Sequence, residues 1–117
     1  MRRVLISVEG QTEEIFVRDI LAPHLMDLGI NAQQVILKTK RPAGRAPSRG
    51  GVSSWSRIST ELQLLLRDSN AVAVTTMYDL YGLPSDTPGW QEHEPSIDPV
   101  ERASTIETAI QKAFSDD

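Results

Sequence analysis

An apolar run that stops at an acid and a glycine, with a helical pattern directly behind it, sets the main constraint on this chain. Val4, Leu5, Ile6 and Val8 lead into Glu9-Gly10, and residues 12–28 carry helical spacing. A short, continuously apolar, β-branched run of this kind predicts a buried parallel strand. Gly10 supplies a turn free of any Cβ clash. Thr12 is the expected N-cap, and Glu13 and Glu14 then fall in the first turn, where the helix dipole favours negative charge. Glu9 is thereby delivered to the carboxyl end of a strand, the end at which open α/β sheets hold their ligands.

The rest of the chain repeats the alternation. Residues 12–28 place Ile15, Phe16, Ile20, Leu21, Leu25 and Leu28 on one broad apolar face. Pro23 should kink or interrupt that helix, since it has no N–H for the bond to residue 19. Gly29 is the expected C-terminal cap. A second strand is predicted at 34–39, around Val35, Ile36 and Leu37. Ser53 or Ser54 caps a helix over about 54–68, with Trp55, Ile58, Leu62 and Leu65 or Leu66 facing inward. Ala71 to Met77 reads as a third strand ending at Tyr78-Asp79. A loop from Leu80 to about Pro99 follows, then an amphipathic helix over 100–115 through Val100, Ala103, Ile106, Ile110 and Phe114. The order βαβαβα predicts a short parallel sheet with helices on its faces, a three-layer α/β fold. At 117 residues it is a single domain, 1–117.

Composition narrows the function classes. With no cysteine there is neither a disulfide framework nor a thiolate metal site. No run is long enough to span a bilayer and no signal peptide is present, so a cytoplasmic protein without a membrane partner is expected. The net charge of −4 hides a division: residues 1–60 carry nine Lys/Arg against five Asp/Glu, and residues 61–117 three against eleven. A polarised surface follows, with anion binding confined to one side.

Two constellations carry chemistry. Glu9 ends strand one, Glu13 lies one turn into the helix, and Asp79 ends strand three. If strands one and three are neighbours, the three acids meet at one sheet edge. Clustered carboxylates are what Mg²⁺ or Mn²⁺ requires, and without a cation their repulsion raises at least one pKa. The plainer reading leaves Glu13 as a dipole-compensating acid and Asp79 as a loop cap. The second constellation is the loop holding Lys38, Lys40, Arg41, Arg45 and Arg49, which is either a solvated surface or a phosphate-contacting arm for nucleic acid. His24 and His93 are too isolated for a zinc site. Ser7 and Thr12 have no partners for a hydrolase triad, and Gly10-Gln11-Thr12 is neither a Walker loop nor a dinucleotide fingerprint.

Val8-Glu9-Gly10-Gln11-Thr12-Glu13-Glu14, Gly50-Gly51-Val52-Ser53 and Tyr78-Asp79-Leu80-Tyr81-Gly82-Leu83-Pro84 resemble an uncharacterised bacterial family, the domain-of-unknown-function family 4276, placed among the Toprim-like (topoisomerase–primase) domains. The Glu-Gly-x-Thr-Glu element is also similar to that of the Toprim nucleases of the overcoming-lysogenization-defect group. The resemblance implies a Toprim-like, Rossmann-like fold. It implies Glu9 as the Toprim glutamate, a metal ligand or proton shuttle, Glu13 as the extra glutamate of the nuclease group, and Asp79 as the first acid of Asp-x-Asp. The second acid is replaced by Tyr81, with Asp86 the nearest substitute. The family pattern also carries a further strand and helical region, which implies that this chain is its N-terminal part. Elements missing from the C-terminus would leave apolar surface exposed and favour homo-oligomers.

Three functions follow as expectations. The first is a Mg²⁺- or Mn²⁺-dependent nuclease or phosphotransfer domain acting on nucleic acid. Its catalytic residues would be Glu9 and Asp79, its metal ligands Glu9, Glu13 and Asp79, and its phosphate contacts the basic loop. The resemblance adds a bacterial defence setting and an ATPase partner. The second is a non-catalytic interaction module that docks such a partner, favoured by Tyr81 in the second acid's place. The third is a phosphate-ligand sensor using the glycine turn and basic loop.

Overall fold

The computed structural model describes residues 2–37, 54–90 and 98–115. Strand β1 (Arg2–Val8) is the middle of a three-stranded parallel sheet of order β2-β1-β3, with β2 at Ile30–Ile36 and β3 at Ala73–Met77. Its central position explains the apolar run: both faces of β1 are covered, and Leu5, Ile6, Ser7 and Val8 are all buried.

The helices divide between the two faces. Helices α1 (Gln11–Phe16) and α2 (Ala22–Met26) are joined by a π-helical segment, Val17–Leu21. Together they cover Ile6, Val8 and Ala32 with Val17, Leu21, Ala22 and Leu25. Helix α3 (Trp55–Leu66) covers the opposite face, where Ile58 and Leu62 pack with Leu37, Val74, Tyr78 and Leu83. Helix α4 (Pro99–Ala113) ends on the same side, its following residue Phe114 meeting Trp55 edge-on at 6.0 Å between ring centroids. The result is the expected three-layer α/β fold. Each fully buried aliphatic side chain, such as Ile58 or Val17, contributes about 1.5–3 kcal/mol relative to exposure.

Several boundaries differ from the sequence reading, each for a physical reason. The Pro23 interruption takes the form of a widened turn before the proline: the Ala22 N–H bonds the Val17 carbonyl five residues back. A π turn makes room where a proline ring would crowd the carbonyl four residues earlier. That change of pitch also re-aims the apolar face. Val17 is wholly buried, whereas Ile15, Phe16, Ile20 and Leu28 are exposed, Ile20 at 60% and Leu28 at 65%. Gly29 takes the expected left-handed cap at φ 80°.

Strand β2 begins at Ile30, well before residue 34, and ends at Ile36. Its polar residues Asn31, Gln33 and Gln34 are held by register against β1, with Arg3 opposite Asn31 and Leu5 opposite Gln33. Ladder pairing outweighed their weak strand preference. Strand β3 starts at Ala73; Val72 is 64% exposed although its N–H bonds the Arg3 carbonyl. On α3 it is Leu65 that packs inward, while Leu66 is exposed. Val100, expected on the inner face of α4, is 73% exposed.

Two helix starts are capped from unexpected places. Ser54 stands at the N-cap of α3 but makes no capping bond; Asp86 Oδ1, from the loop after β3, accepts from the Trp55 N–H at 2.9 Å. Helix α4 is capped by Asp98, which accepts from the Val100 N–H at 3.3 Å. Gly89 fixes that loop against α4. At φ 86° it occupies a region that L side chains rarely adopt, and a Cβ there would lie 3.0 Å from Ala109 Cβ and 3.1 Å from the Ile106 backbone.

Candidate functional site

The carboxyl end of the sheet gathers the acids. The last paired residues of β1 and β3 are Val8 and Met77, so Glu9 leaves β1 beside the point where Tyr78-Asp79 leaves β3. Glu9 Oε1 accepts a hydrogen bond from the Asp79 N–H at 3.3 Å. The chain after Asp79 closes at once into a 3-10 turn, Leu80–Gly82, through Gly82 N–H to Asp79 carbonyl at 3.0 Å.

That turn folds back over Glu9. A Cβ on Gly82 would lie 2.9 Å from Glu9 Oε2 and 3.3 Å from Oε1, so a glycine is what permits this approach. Gly10 plays no such part. Its backbone is extended (φ −148°, ψ −173°), and a Cβ there would meet only Glu13 Oε1 at an ordinary 3.5 Å. Gly10 is also the N-cap of α1, displacing Thr12 to the second helical position. The Glu13 side chain reaches back to accept from the Gly10 N–H at 3.2 Å.

Electrostatics distinguish Glu9 from its neighbours. Partial burial raises its pKa above 4.5; the Asp79 N–H opposes that rise, and the charges of Asp79 and Glu13 add to it. Tyr78, just before Asp79, has its phenol pushed up to about 12, first by burial, against the lowering effect of its bond to Ser7. Asp79 itself is exposed.

The sequence-derived site is thus assembled in part. Glu9 and Asp79 come together, with Glu13 close enough for its charge to be felt at Glu9. Glu13 has a capping bond of its own, and among the described residues no three Asp, Glu or His side chains form a group that could hold a metal ion. Asp86, the nearest substitute for the second acid, caps α3 through Oδ1. Lys38, Lys40, Arg41, Arg45 and Arg49 lie outside the described residues, as does His93. Leu37, the described residue just before that segment, donates its N–H to the Val8 carbonyl at 2.8 Å. A cavity of about 670 Å³ lies elsewhere, between α3, β3 and α4, and none of the three acids lines it.

Two contributors were not singled out from sequence. Gly82 is recognisable only once the turn is folded onto Glu9. The Ser7–Tyr78 hydroxyl pair, 2.6 Å apart, joins residues 71 positions distant. A serine within an otherwise apolar strand was its one available signal.

Residues 8–117 match the family described as Domain of unknown function (DUF4276). The chain belongs to that family. No curated protein and no solved structure matches it. No helix among the described residues is long and apolar enough to cross a membrane.

Mg²⁺ is commonly held by one or two carboxylates with several waters retained. Here the Glu9 carboxylate meets the Asp79 backbone under a turn whose glycine leaves Glu9 room.

Proposed function

We propose that this DUF4276 protein is a cytoplasmic, Toprim-like, divalent-metal-dependent nuclease or phosphotransfer domain acting on nucleic acid. The observation carrying the reading is the like-charged pair Glu9 and Asp79, brought together beyond the last rung between β1 and β3. Glu9 and Asp79 would hold Mg²⁺ or Mn²⁺, with Glu13 as a third oxygen donor if its side chain leaves the Gly10 N–H. Such an ion supplies Lewis-acid activation of water and neutralises charge developing on a phosphate. Glu9, half-buried and with a raised pKa, is suited to accept a proton at its carboxylate. Asp79 beside it is exposed. Lys38, Lys40, Arg41, Arg45 and Arg49, which follow Leu37 in the sequence, would contact the nucleic-acid backbone.

The test is Mn²⁺ titration of the wild-type chain and Glu9→Gln, followed by nicking of plasmid DNA and cleavage of RNA. Metal-dependent cleavage lost in Glu9→Gln supports the reading; a wild-type chain that neither binds Mn²⁺ nor cleaves either substrate removes it.

A second reading has its own support. Tyr81 stands where the Toprim pattern carries a second acid. A non-catalytic module docking a partner such as a defence-system ATPase would need no complete ligand set. It predicts partner binding that is indifferent to Glu9→Gln.

A further inference from the structure

The register between β1 and β3 ends at Val8 and Met77, yet the residues proposed to share a cation come after it. Beyond the last rung, the Glu9 carboxylate lies against the Asp79 backbone. One link there is the Asp79 N–H to Glu9 Oε1 bond, which at 3.3 Å is long for an N–H donor. A firmer tie close by would hold this end together.

The Ser7–Tyr78 pair is placed to do so. Ser7 is 1% exposed inside the run Val4-Leu5-Ile6-Ser7-Val8, where any aliphatic residue would pack without a polar atom to satisfy. Its Oγ lies 2.6 Å from the Tyr78 hydroxyl, a short O–H···O contact. Tyr78 directly precedes Asp79, and its side chain packs in the cluster with Ile58 and Leu62. The phenol therefore ties the first residue beyond β3 back to β1, two residues before Glu9.

We propose that the Tyr78 hydroxyl, through Ser7 Oγ, is a positioning group that holds Asp79 against Glu9. This inference rests on the metal-binding reading for its purpose but not for its geometry. Groups that orient ligands without touching the ion commonly change metal affinity by on the order of tenfold or more when removed.

The experiment compares wild type, Tyr78→Phe and Ser7→Ala by two measurements. One is the Asp79 amide resonance in the metal-free protein, which reports its bond to Glu9. The other is the Mn²⁺ dissociation constant. Tyr78→Phe keeps the ring in the core, and Ser7→Ala leaves no orphaned donor on β1, so a folding failure of one leaves the other to decide. The expected result is a shifted Asp79 amide in the variants, with amides of Ile6 and Leu62 unmoved, and Mn²⁺ binding weakened on the order of tenfold. An unmoved Asp79 amide overturns the proposal, and so does a moved amide with unchanged Mn²⁺ affinity. A moved amide in a protein whose wild type binds no Mn²⁺ upholds the positioning role and removes the metal reading.

Discussion

The two ends of β1 share one backbone ladder and have opposite electrostatics. At the amino end Arg3 sits between partners: Nη1 meets Asp68 Oδ2 at 2.6 Å and Nε donates to Gln33 Oε1 at 2.9 Å. Charge is neutralised locally there, and β2, β1 and the turn after α3 are tied together. At the carboxyl end Glu9 meets the Asp79 backbone, with Glu13 nearby, and among the described residues the side-chain charges that shift its pKa are both acidic. A parallel sheet offers similar scaffolding at both ends. Side-chain charge is what makes one end a closed structural joint and the other the place where, on the proposed reading, an ion would sit.

The largest effect should come from what both ends share. Ile6, 3% exposed at the centre of β1, contributes to the core under both; Ile6→Ala should lower stability by about 2–5 kcal/mol in urea denaturation. A loss well below that would mean the two ends are held by separate cores.

Glu9→Gln should separate them. Because the folded-state pKa of Glu9 is raised, its contribution is fully present below 4.5 and is lost as pH rises through the folded value. The metal-free variant should therefore be at least as stable as wild type at pH 7, and should lack the decline on that side. Its Mn²⁺ affinity should fall by about tenfold or more, equivalent to about 1.4 kcal/mol. Thermal melts across pH, with and without Mn²⁺, would expose an error in either sign.

Gly82→Ala probes the carboxyl end without altering charge. The new Cβ would press on Glu9 Oε2, the end of a flexible side chain, so Glu9 should give way and the fold should survive. Stability should change by about 1 kcal/mol or less, while Mn²⁺ binding weakens. Unchanged binding would show that the placement of Glu9 under this turn is immaterial.

The smallest effect is expected at the amino end. The Arg3 bond, aided by the Asn70 N–H, holds the Asp68 carboxyl below 3.8, so its stabilisation is present above that value and lost as pH falls through the folded one. Asp68→Asn should flatten the acid limb of the stability profile, slightly and less so in high salt. A neutral-pH effect as large as that of Ile6→Ala would overturn the view of this pair as a surface joint.

How much of this could be read in advance depended on distance along the chain. The central strand, the glycine cap at Gly29 and the alternation of elements rest on local pattern, and they appear in the fold. The face presented by residues 11–26 did not follow from a 3.6-residue period: a π turn over Val17–Leu21 precedes Pro23, and Ile15, Phe16 and Ile20 are exposed. The start of β2 was hidden by Asn31, Gln33 and Gln34, whose place is set by pairing. Glu9 and Asp79 could be nominated from their positions at strand ends; their approach needed β1 and β3 to be neighbours.

By itself the sequence determined that a buried strand delivers Glu9 to the carboxyl end of a parallel α/β sheet, since hydrophobic period and turn chemistry act over a few residues. Only the tertiary structure decided which groups meet Glu9 there: Asp79 across the strand gap, Gly82 folded over its carboxylate, Tyr78 anchored to Ser7. Those contacts join residues some seventy positions apart, and local propensity carries no information about such pairs.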